Sequence, residues 1–123
     1  MLRGIREGDI SKGSGRVNKR AFIPRRNGKD DDGLSVSQPN GENLERLKAR
    51  LGNTSGVFCS LLAGGIRGIK EMDRSLEVCP NPTETDAFHS LILGVPTDPE
   101  STALATRLAQ RLADISSLYE PPS

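Results

Sequence analysis

His89 is the only imidazole in the chain, and imidazole is the side chain whose ordinary pKa suits proton transfer near neutrality. It stands in an apolar run, residues 88–95, FHSLILGV. In an extended strand it shares a face with Leu91, Leu93 and Val95, while Ser90 points the other way, so the adjacent serine forms no dyad with it. The expected role of His89 is a partly buried, hydrogen-bonded scaffold residue, with general acid/base catalysis as the alternative. Cys59 is a candidate nucleophile if neighbouring strands bring it to His89. Flanked by Phe58 and near Leu61, it reads instead as a neutral packed thiol.

Arg16, Lys19, Arg20, Arg25 and Arg26 bracket Phe22. Cations around an aromatic ring are what phosphate contact with base stacking uses, so these five are the candidate ligand-binding residues. Phe22 itself, between Ala21 and Ile23, reads as core. Asp30, Asp31 and Asp32 lack the alternate spacing and distal glutamate of a calcium loop. They read as a solvated tip balanced by Arg25, Arg26 and Lys29. Gly64, Gly65 and Gly68 follow a predicted strand as a phosphate loop would, but match no phosphate-loop pattern, and a tight turn is expected. With one His and no CxxC, a Cys/His zinc site lacks ligands. No metal and no cofactor are expected.

These residues must be positioned by a thin core. Of 123 residues, 34% are hydrophobic, with three Phe, one Tyr and no Trp. That size predicts one domain over residues 1–119 with a tail at 120–123, and so small a core predicts help from a protein partner or a homo-oligomer. The net charge of +1 hides a basic stretch: eight Lys and Arg in residues 1–26 against Glu7 and Asp9. Such a stretch fits either a solvated surface or a nucleic acid or other polyanion as partner. Cys59 and Cys79 suggest reduced thiols and a cytoplasmic address. No apolar run has membrane-spanning length, so no membrane association is expected.

The periodicities predict an α+β fold: a mixed, mainly antiparallel sheet of four to five strands with a long C-terminal helix packed on one face. Strands are expected at 20–23 and 34–37, paired as a long hairpin, and at 57–62, 76–78 and 88–95. Residues 2–10 fit a strand or a short helix. A short helix capped by Asn40 carries Leu44, Leu47 and Leu51 on one face and ends at Gly52. Its Arg46, Lys48 and Arg50 suit the helix dipole without any ligand. Glycines 64 and 65 turn the chain before one or two helical turns with Ile66 and Ile69 inward. Thr97, Asp98, Pro99 and Glu100 start the last helix, whose stripe runs through Leu104, Leu108, Leu112, Ile115 and Leu118.

The words AFIPRRNGKDDDGLSVS, GVFCSLLAGGIRGIK and LEVCPNPTETDAFHSLILG, followed by that helix, resemble in their order small uncharacterised bacterial proteins. Those proteins share an F-x-P, Asp-rich loop, G-L-S-V beginning and a Pro…His-apolar-strand end. The resemblance covers most of residues 20–112. It implies that Phe22, Pro24, Gly33, Leu34, Ser35, Val36 and His89 belong to one shared scaffold, and it implies no activity and no cofactor.

The functional expectation is a non-enzymatic interaction module that binds a protein or polyanionic partner as a subunit of a larger assembly. The alternative is a small toxin-like nuclease or nucleotide-modifying enzyme using His89 and the N-terminal arginines.

Overall fold

Alternating and branched segments become strands where their period predicts it. The computed structural model describes residues 1–25, 30, 32–53 and 55–122. Leu34–Ser37 forms β2 and His89–Leu93 forms β7, and they pair antiparallel with Ser37 opposite His89. Around them lie β1 (Leu2–Ile5), β3 (Val57–Ser60), β6 (Glu77–Pro80) and β8 (Ser117–Tyr119) in a six-stranded sheet of order β6-β7-β2-β1-β3-β8. Two-residue strands β4 (Lys70–Glu71) and β5 (Arg74–Ser75) make a separate small hairpin. The architecture is α+β, and every strand pair is antiparallel. The main sheet therefore holds one strand more than the four to five expected.

Helix α3 (Thr102–Ile115) covers one face. Leu108 and Leu112 are fully buried there with Phe22, Val36, Cys59 and Ile92, and each such side chain contributes about 1.5–3 kcal/mol of burial. Helix α1 (Leu44–Leu51) covers the other face, where Leu47 packs on Leu2 and Phe58. Asn43, rather than the expected Asn40, caps α1: its side chain accepts from the Arg46 N–H at 3.0 Å. Gly52 ends it in the left-handed region, as predicted.

Several local expectations are corrected. Residues 20–23 are not a strand: Lys19–Phe22 is a 3-10 turn capped by Asn18, whose side chain accepts from the Arg20 N–H at 2.9 Å. Ala21 and Phe22 are both buried, and a strand of period two would send successive residues to opposite faces. The predicted hairpin with 34–37 is absent, because β2 takes β1 and β7 as partners. The C-terminal helix stops at Ile115, where the Ser116 backbone turns extended and its hydroxyl donates to Ala113 O. Leu118 is then an exposed residue of β8. Glycines 64 and 65 lie inside a five-residue helix, α2 (Ala63–Arg67), instead of a turn before one. Phe88 precedes β7 and is 42% exposed. Among the described residues no helix is long and apolar enough to cross a membrane.

A seam runs through the middle of this sheet. β1 pairs with β3 through four residues and β2 with β7 through four, but β1 and β2 meet only at Leu2 and Ser37. Beyond that pair the two strands splay, and the sheet divides into halves β6-β7-β2 and β1-β3-β8.

Candidate functional site

Arg3 occupies the splay. A charged residue inside the apolar strand LRGI shares its parity with Ile5, so it turns inward and is 5% exposed. Its Nε donates to Ala21 O at 2.7 Å and its Nη1 to Ser35 O at 2.9 Å. The bond to Ser35 links β1 to β2 where the backbone ladder is missing, and the bond to Ala21 ties β1 to the 3-10 turn. The guanidinium also lies over the Phe22 ring at 5.8 Å. Burial pulls the Arg3 pKa down, and Asp30 opposes that shift. A guanidinium stays charged at neutral pH in either case, and Nη2 has no hydrogen-bond partner among the described residues.

The splay opens into a cleft of about 570 Å³, lined from both faces of the sheet. Arg3 approaches from β1 and Arg6 from just beyond it, Arg20 from the 3-10 turn and Arg25 from the chain that follows, Arg50 from α1, and His89 from β7. Asp9 and Asp86 are the acidic residues on its walls. Arg25 pairs with Asp30, whose carboxylate accepts from the Arg25 N–H at 2.6 Å and from Nε at 3.3 Å. Arg6 and Arg20 are exposed, and their guanidinium groups have no acidic partner among the described residues.

Arg50 is a polar hub. It donates to Glu42 at 2.8 and 2.5 Å, to Asp86 Oδ1 at 2.8 Å, to Ser37 Oγ at 2.6 Å and to Gln38 O at 2.8 Å. The Glu42 hydrogen bond raises the Arg50 pKa and lowers that of Glu42. Burial pushes the Asp86 carboxyl up, but the Ser37 hydroxyl, the Arg50 guanidinium and the Phe88 N–H outweigh it and leave it below the ordinary value. Asp86 Oδ2 is buried and has no partner among the described residues.

His89 is half-buried, and its Nδ1 lies 2.8 Å from Asn81 O. A carbonyl only accepts, so Nδ1 carries the proton and neutral His89 keeps Nε2 as its acceptor. Ser37 faces it across the ladder, but that hydroxyl is fully buried and held by Arg50.

Of the sequence candidates, Arg20, Arg25 and His89 line the cleft, whereas Arg16 and Lys19 are exposed and do not. Arg26 lies outside the described residues. So do Asn27, Gly28, Lys29 and Asp31, whereas Asp30 is buried on Arg25 instead of forming a solvated tip. Cys59 is not brought to His89: β1 and β2 stand between their strands, and burial pushes its thiol up to about 12. The glycine-rich stretch is the short helix α2. No group of metal-ligating side chains occurs among the described residues. Arg3, Arg50 and Asp86 were missed as site residues, and only Arg3 carries a local signal, a charge at an inward position of an apolar strand. Neither models of known protein families, nor curated proteins, nor solved structures match the chain.

Proposed function

We propose that the cleft binds a nucleoside phosphate, free or within a strand, and that His89 transfers a proton on it. The reading is that of a small nuclease or nucleotide-modifying enzyme. One observation carries it: arginines from β1, the 3-10 segment and α1 converge with the chain's only imidazole in one opening of the sheet. Guanidinium groups recognise phosphate oxygens through charge-assisted, often paired hydrogen bonds, and a cleft of this volume is of the size that holds small ligands. Arg3 and Arg50 are fixed by protein acceptors and shape the site, leaving Arg6 and Arg20 to make the flexible phosphate contacts. With its Nδ1 hydrogen on a carbonyl, His89 offers Nε2 as base in the neutral form and as acid once protonated. Unpaired thiols at Cys59 and Cys79 accord with a cytoplasmic setting.

A polyanion-binding module without catalysis uses the same cleft and omits the proton transfer. Calorimetric titration with pyrophosphate and adenosine diphosphate, together with turnover assays on RNA and nicotinamide dinucleotide, tests both. Arg20→Ala is expected to weaken phosphate binding about tenfold, the loss of one hydrogen bond to a charged group. His89→Ala is expected to lower turnover at least 100-fold while circular dichroism stays unchanged. Phosphate binding with no His89-dependent turnover leaves only the binding module. Absence of salt-sensitive phosphate binding removes both.

A further inference from the structure

We infer that Arg3 is the fixed anion anchor of this cleft, its Nη2 donating to a terminal phosphate oxygen that enters the seam between β1 and β2. The ligand is then recognised by a phosphate end and not by the interior of a strand. The inference rests on the phosphate-cleft reading above and narrows its ligand class. Arg6 and Arg20 remain the mobile contacts, and Arg3 adds a rigid one.

The two arginines withdrawn from water differ in what balances their charge. Arg50 is paired with Glu42 and Asp86. Arg3 is 5% exposed and forms no ion pair among the described residues. Its partners are two neutral carbonyls, Ala21 O and Ser35 O, and the face of Phe22. Asp30 favours its charge from a distance, but that carboxylate is taken by Arg25 at 3.3 Å. A buried cation without a counter-ion is costly to hold, and an incoming anion relieves that cost. The guanidinium is also oriented for one. With Nε and Nη1 held and one face on the ring, its plane is fixed. Nη2 has no hydrogen-bond partner among the described residues, yet it is not sealed from solvent, and Arg3 lines the cleft. A donor so recessed selects by shape. A terminal phosphate has one ester substituent and can present a free oxygen while the rest of the ligand trails outward. An interior phosphodiester carries a sugar on either side of its free oxygens. The phosphate end also brings about −1.5 to −2 charges at pH 7, more than a diester offers an uncompensated cation.

Calorimetric titrations with inorganic pyrophosphate and two oligoadenylates of equal length, one with a 5′-phosphate and one ending in hydroxyls, test this. Wild type is expected to bind the phosphate-ended strand about tenfold or more tighter, the worth of a hydrogen bond to a charged group. Arg3→Met, checked for folding by circular dichroism, is expected to weaken pyrophosphate and the phosphate-ended strand by about that factor. The hydroxyl-ended strand should stay within about twofold. Because Arg3→Met also removes two bonds at the seam, nitrogen-15 spectra of wild type supply a second readout. The Arg3 Nη signals should shift on saturation with pyrophosphate, while those of Arg50, already held by carboxylates, should not. If the variant does not fold, the two wild-type readouts decide. Equal wild-type affinity for the two strands, an unmoved Arg3 signal, or equal weakening of all three ligands in folded Arg3→Met overturns the anchor while the phosphate cleft stands. If wild type binds none of the three, both fall together.

Discussion

Arg50 joins three segments that are distant in sequence. Glu42 lies eight residues before it and Asp86 thirty-six after it, and all three side chains are largely withdrawn from water. Removing one member of such a set leaves the others buried and uncompensated, so Arg50→Met is expected to cost about 3 kcal/mol at neutral pH. The pH dependence has a definite sign. Glu42 and Asp86 both titrate below their ordinary values of 4.5 and 3.8. As pH falls through that range the unfolded chain takes up protons first, so their contribution is present above about pH 4.5 and is lost as pH drops through the folded values. Urea melts of wild type between pH 6 and pH 3 should therefore fall more steeply than those of Arg50→Met. Parallel curves would show that the network does not hold these carboxyls charged. The sequence offered Arg50 only as a cation suited to a helix C-terminus. Its partners stand at no helical or strand spacing from it, so nothing local marks it as a hub.

Among the elements, Gly94 ends β7 at φ 115°, and a Cβ there would lie 2.8 Å from Ser75 O and 2.9 Å from a Leu76 side-chain methyl. Backbone strain and collision act together, so Gly94→Ala should cost about 1–3 kcal/mol and lower Tm by about 5–10 °C. Gly13→Ala, at a site with open space and ordinary φ, should change stability by no more than about 0.5 kcal/mol. Equal melting temperatures for the two variants would refute the strain. Elements with a strong period were legible in advance: β2, β7, α1 with its Gly52 cap, and the Leu108 and Leu112 stripe of α3. Those set by local polar chemistry were not. The Asn18 cap turned residues 19–22 into a 3-10 turn, and Ser116 released residues 117–119 into β8 although Leu118 continues the helical stripe. The cleft was legible only in part for the same reason. Arg20, Arg25 and His89 could be nominated from residue type, whereas their convergence depends on two strands that separate after one pair.

At the scale of the molecule, that separation makes the cleft sensitive to what occupies it. Backbone amides of β1 and β2 along the seam lack the ladder that protects the β2–β7 pair, so they should exchange with solvent faster. On the proposed reading, pyrophosphate held in the cleft by Arg6 and Arg20 stabilises the native arrangement around the seam by mass action. Saturating pyrophosphate should then slow exchange at the seam and leave the β2–β7 ladder unchanged. Uniform protection across the whole sheet would indicate binding elsewhere.

The chain passes from one half-sheet to the other four times: between β1 and β2, β2 and β3, β3 and β6, and β7 and β8. The two walls are therefore interleaved along the polypeptide, and no single cut divides one from the other. Neither wall can be inherited, excised or swapped as a cassette. Whatever recognition the opening performs must arise, or be lost, with the entire backbone.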